Sequence, residues 1–197
     1  MKGTLHVTGD PDADDLLNTD ALAALIGMLL DQQVPMEWAF RGPYELKERL
    51  GGRLDAAEIA AMDADALASA FRGPPALHRY PGSMAGRTQD LCRMLVEEYD
   101  GDAEAVWESA ATGKELLAHL RTLPGFGDQK ARIFTALLAK RMGVTPPGWE
   151  EVAGPYAPVG HFSVADIDGP ESLDAVREHK KATKAAAKAA KVAKAAN

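Results

Sequence analysis

The chain has 197 residues, 46% of them hydrophobic and 6% aromatic, with a formal net charge of −7. That length and apolar content suffice for one sizeable core or two small lobes. Alanine is abundant and β-branched runs are scarce, which favours an all-α protein. No apolar stretch is long enough to span a bilayer, and residues 1–6 lack the apolar run of a signal peptide, so no membrane partner and a cytoplasmic location are expected.

Residues 3–8 suit a short extended segment, and 9–15 an acidic loop. Asp20 is placed to cap a strong helix running to about Gln33, with Leu22, Leu25, Ile26, Leu29 and Leu30 on one face. A second helix is expected over 35–50, with a candidate break at Gly42-Pro43. Short helices with acidic starts follow at 55–62 and 63–71, then a proline-containing loop to Gly82. Ser83 is a candidate cap for a long helix reaching about Tyr99, and 102–110 suits another short helix. Thr112 opens a helix with Glu115 at capping-box spacing.

Residues 123–131 read Leu-Pro-Gly-Phe-Gly-Asp-Gln-Lys-Ala and join two helical patterns, 112–122 and 128–142. The connection is too short for anything but a tight hairpin. Its glycines, Gly125 and Gly127, suit a sharp turn whose backbone stays bare, with Asp128 as a candidate cap of the second helix. Backbone N–H groups at such a helix start favour an anion, so a phosphate held without base reading is the expected ligand. Lys130 and Arg132 stand beside it.

Past Met142 the texture changes. Four prolines and three glycines between 144 and 162 favour a loop or extended wrap. A last helix opens at Glu171 and grades into an Ala/Lys tract with no apolar face, expected to be disordered or frayed when free. Residues 177–197 hold seven Lys/Arg against one Glu, a net +6, leaving −13 on residues 1–176. The expected division is therefore a body over 1–176 and a basic tail over 177–197. The tail would supply the attraction that an acidic body lacks toward a polyanion.

Chemistry-bearing patterns are otherwise sparse. The lone Cys92 excludes a disulfide within the chain. The five histidines show no metal-ligand spacing, and no phosphate loop or dinucleotide fingerprint is present, so no metal or cofactor is expected. His78 lies in a loop before a helix and is a candidate contact to phosphate or substrate. Trp38 and Trp107 fall in helical patterns that suit core packing. Trp149 lies in the Gly/Pro loop, where a pocket role is open.

The hairpin stretch, with the apolar, Gln-containing segment 25–33 about ninety residues upstream, resembles the HhH-GPD superfamily of helix-hairpin-helix base-excision DNA glycosylases. The likeness covers roughly residues 20–142. It implies a two-lobed fold, with a middle lobe over about 22–110 and a second lobe built from both ends and the hairpin 112–142. It also implies a monomer binding double-stranded DNA across the cleft between the lobes. Gln33 then matches the residue that wedges into the duplex, and Gly125, Gly127, Gln129 and Lys130 line the DNA side. Bifunctional members place a nucleophilic lysine where this chain has Gln129, which cannot form a Schiff base. A monofunctional glycosylase is implied, hydrolysing the N-glycosidic bond of a flipped damaged or mismatched base. The iron–sulfur cluster of some members needs four cysteines and is not expected here. The family's aspartate, about 18 residues past the lysine position, has no counterpart; counting from Gln129 lands on Pro147. Glu150 and Glu151 are the nearest substitutes, with Asp31, Asp166 and Asp168 as more distant ones. Alternatives from other classes are a non-catalytic binder of damaged or bent duplex and a protein–protein adaptor.

Overall fold

The computed structural model describes residues 2–195. It is all-α: eleven helices and two short 3-10 turns, with no strand among the described residues. Among the same residues no helix is long and apolar enough to cross a membrane.

The order is α1 (Pro11–Thr19), α2 (Ala21–Leu30), α3 (Met36–Arg49), α4 (Ala56–Ala61), α5 (Ala64–Arg72), α6 (Pro81–Tyr99), α7 (Ala105–Glu108), α8 (Gly113–Thr122), α9 (Asp128–Met142), α10 (Trp149–Ala153) and α11 (Pro170–Ala195). Helix α2 is buried at every residue from Leu22 to Leu30. A helix apolar on all sides belongs at the centre, and α1, α3 and α6 pack around it. Helices α4 and α5 lie on α6, while α8 and α10 lie on α9. One continuous core joins these groups through Leu25, Leu29, Phe40, Phe71, Phe134 and Leu137.

The start of the chain packs back against α1 and α9. Residues 3–7 form neither helix nor strand, and Leu5 and Val7 are wholly buried. Asn18 brackets Leu5, accepting its N–H and donating to its carbonyl at 2.8 Å each, while Thr4 N–H donates to Arg141 O at 2.9 Å. The start of the chain is thereby tied to the far end of α9.

Several elements depart from the sequence expectations. The acidic stretch after Gly9 is not a loop. Asp10 caps α1 by accepting from the amides of Asp12 and Ala13, and Pro11 occupies the first turn, where its missing N–H costs nothing. Helix α3 runs unbroken through Pro43. Helix α6 begins at Pro81 behind Tyr80, with no side-chain cap, so Ser83 lies inside it. The Gly/Pro-rich stretch holds a short helix, α10, and a 3-10 turn at Gly154–Tyr156. Trp38 is 39% exposed rather than core, and its indole N–H donates to Ala76 O. Trp107 is buried against Phe134.

The Ala/Lys tract continues α11 as one helix. Its first turns are anchored by buried Ser172 and Val176 and part-buried Leu173. Beyond Lys180 the described side chains are exposed, so propensity carries the helix outward from a packed nucleus. Lys191 and Lys194 of the expected basic tail lie outside the residues whose side chains are described.

Candidate nucleic-acid interface

The hairpin of residues 123–127 forms where expected, between α8 and α9. Thr112 caps α8 by accepting from Glu115 N–H, and the Glu115 carboxylate accepts from Ala111 N–H. Inside the turn, Leu123 and Phe126 are buried, and Phe126 sits edge-on to Phe134 with ring centroids 5.7 Å apart. The apolar members face the core, so the polar backbone must face outward.

The two glycines do different work. Gly125 has φ +82°, and a Cβ there would overlap Leu29 Cδ1 at the end of α2. Both the turn and the close approach require glycine. Gly127 has an ordinary φ of −71°, and no atom lies within 4 Å of where its Cβ would stand. The fold would accept any side chain there. Gly127, not Asp128, is the cap residue of α9, and no side chain caps it. Asp128 is instead held by Arg121 and by Arg132. Those hydrogen bonds keep its carboxyl below the usual carboxylate range. The amides of Gly127 to Lys130 have no acceptor among the described residues, which leaves four donors at a helix N-terminus facing solvent.

Lys130 does not stand free beside them. Its Nζ turns inward and donates to Leu29 O at 2.6 Å, bonding α9 to the last turn of α2. Burial pulls its pKa down to about 8, against a counter-pull from the nearby Asp31 carboxylate. The hairpin thus meets the end of α2 twice, through Gly125 and through Lys130.

The turn that follows α2 is held just as firmly. Gln32 donates to Leu29 O and accepts from Arg87 at 3.1 Å. His78 is buried, and its Nδ1 accepts from Tyr80 N–H at 3.0 Å. Nε2 therefore carries the proton and donates to Gln32 O at 2.9 Å. Burial lowers the His78 pKa. Both ring nitrogens are committed, so His78 braces the turn instead of meeting a ligand. Gln33 lies beyond the end of α2, exposed, with φ +58°. A non-glycine residue in the left-handed region stores roughly 1 kcal/mol of strain, which the braced turn sustains.

The candidate carboxylates separate clearly. Glu150 and Glu151 are exposed in the first turn of α10. That end of α10 lies at the start of α8, where Gly113 N–H donates to Pro147 O. Ten residues of α8, about 15 Å, lie between it and the turn. Asp166 is buried and structural, accepting from Lys140 and from the amides of Phe162 and Ser163. Asp168 binds Ser172 and Arg141. Asp31, by contrast, follows α2 directly, is only 12% exposed, and lies 3.7 Å from Lys180 Nζ.

Gln129 donates to the Tyr156 hydroxyl at 3.0 Å. Beside it opens a cavity of about 420 Å³ walled by Gln129, Ile133, Tyr156 and Phe162 on one side and by Lys180 and Lys184 of α11 on the other. The structure brings together Gly125, Gly127, Gln129, Lys130, Asp31 and Lys180, and leaves Glu150 and Glu151 apart. Sequence reasoning placed the hairpin, ran α2 three residues too far by closing it at Gln33 instead of Leu30, and missed that Lys130 and Lys180 flank Asp31. No local pattern signals contacts made across a hundred residues. Among the described residues no group of three or more His, Cys, Asp or Glu side chains could hold a metal ion. No family model, curated protein or solved structure matches this chain.

Proposed function

We propose that the chain is a two-lobed helix-hairpin-helix protein of the base-excision type. In this reading it binds duplex DNA and hydrolyses the N-glycosidic bond of an extruded damaged or mismatched base. The observation that carries it is Gly127. The fold has no need of glycine there, yet the position is bare, exposed and followed by unbonded amides. A phosphate group supplies the missing acceptor, and any side chain would hold it off. The α11 lysines supply cations beside an otherwise acidic body.

In this reading Gln33 enters the space left by the extruded base, and its strained, exposed turn presents it for that task. Lys130 is a positioning residue that fixes the hairpin against α2. Asp31, close to Lys130 and largely shielded from water, fits the carboxylate that steadies the developing sugar cation better than Glu150 or Glu151. Gln129 stands at the nucleophile position, so water is the attacking group and no covalent DNA adduct forms.

The test is excision from duplexes carrying a panel of lesion bases, followed by alkaline cleavage of abasic sites. Asp31→Asn and the double variant Glu150→Gln/Glu151→Gln run in parallel. Loss of excision of about 100-fold in one of them, with binding retained, names the carboxylate. A borohydride-trapped adduct would refute the monofunctional reading. Binding without excision across the panel would favour the non-catalytic binder, a reading supported by the exposure and distance of Glu150 and Glu151.

A further inference from the structure

Helix α11 runs beside the candidate site, and two of its cations are engaged in ion pairs. Arg177 pairs with Glu37 at the start of α3 and with Asp174 in its own helix. One turn on, Lys180 lies 3.7 Å from Asp31 at the end of α2. On the opposite flank His179 sits edge-on to Phe162, with centroids 5.3 Å apart. The same stretch, with Lys184, walls the cavity beside Gln129. Before it, Leu173 and Val176 hold the helix to the core; after it, the described side chains are exposed. Among the described residues, α11 is tied to the α2–α3 turn by two ion pairs between part-exposed groups.

We propose that α11 is an electrostatic latch: Arg177 and Lys180 rest on Glu37 and Asp31 in the free protein and transfer to phosphates when a polyanion binds. The proposal rests on the reading that the hairpin side receives nucleic acid. Pairs of this exposure contribute about 0.2–1 kcal/mol each, strong enough to bias the position of α11 and weak enough for several phosphates to displace. The transfer has a consequence at the site. While Lys180 covers Asp31, the carboxylate is partly neutralised. When Lys180 moves to a phosphate, Asp31 loses that partner and keeps Lys130 as a neighbouring cation. Ligand binding thereby prepares the carboxylate, and the free protein keeps it masked.

The test is a distance measured between nitroxide labels at Ala182→Cys on α11 and Glu48→Cys on α3, both exposed positions. The native Cys92 is buried, with its pKa pushed up to about 12, and does not compete for label. Inorganic polyphosphate and a DNA duplex are the two ligands. Both should shift the distance distribution. Glu37→Gln should broaden it in the free protein and tighten polyphosphate binding by about 1.5- to 5-fold, the equivalent of one exposed pair. Arg177→Gln should broaden it equally but weaken binding. A distribution that Glu37→Gln leaves unchanged overturns the latch, as does polyphosphate binding without movement. Movement with polyphosphate but no binding of duplex upholds the latch and removes the nucleic-acid reading of the hairpin.

Discussion

The hairpin leads into the start of α9, which borders the same cavity as α11, yet hairpin and α11 are held by opposite kinds of force. The hairpin is a product of packing. Leu123 and Phe126 are buried, Gly125 closes on Leu29, and Lys130 bonds the Leu29 carbonyl. Helix α11 is tied to α2 and α3 by part-exposed ion pairs at Arg177 and Lys180, and beyond Lys180 it is a product of propensity. The contrast teaches which part can serve as an anvil and which can move. Four amides on a rigid corner present a fixed seat; a row of cations on a lightly tethered helix can close over whatever sits there.

The largest effect expected within this contrast is at Gly125. Gly125→Val adds a β-branched side chain at φ +82° and into Leu29, and should destabilise the fold by about 2–4 kcal/mol in urea unfolding. Gly127→Val, two residues away, should leave stability within about 0.5 kcal/mol. The same variant should weaken duplex binding at least about tenfold in a titration at fixed salt, by blocking the approach of a phosphate. Equal stability losses from the two substitutions would erase the distinction between a glycine the fold needs and one it does not.

Lys130 sharpens the comparison through pH. Its folded pKa, about 8, lies below the ordinary lysine value of 10.5. Between those values the unfolded chain binds more protons, so this group makes stability rise with pH from about 8 to 10.5, with no contribution to the slope below 8. The slope is at most about 1.4 kcal/mol per pH unit. Comparing wild type with Lys130→Met by urea unfolding across that window isolates it; identical slopes would mean that the amine is not desolvated against α2. The smallest effect on the fold belongs to the tail. Removing residues 181–197 takes away five lysines and should leave the melting temperature within about 2 °C. Duplex affinity should fall, and the salt slope should flatten by about 1–4. A clear loss of stability would show that the tract is packed after all.

Much of the architecture was legible in local chemistry. Asp20, Asp55, Asp63 and Thr112 mark helix starts, and each caps as its type and position suggest. The hairpin was legible because its information is local: two glycines, one proline and two apolar residues within five positions. The departures have different causes. Asp10-Pro11 is a helix start, but the acidic run beside it hid the signal. The helix through Pro43 follows no rule of composition, since α3 is held there by its packing against α2 and α1.

The sequence by itself determined that the chain is helical, that α8 and α9 are joined by a bare-backbone corner, and that basic charge is concentrated at the C-terminal end. Those properties follow from propensity, turn chemistry and counting, which involve neighbours in the chain. Only the tertiary structure decided that Lys130 points into the protein, that Gly125 rather than Gly127 is demanded by the fold, and that Asp31 shares its surroundings with Lys130 and Lys180. Each of these is a contact between residues far apart in sequence. Burial, not residue type, sets whether a lysine meets solvent or a carbonyl, and burial exists only once the core has closed.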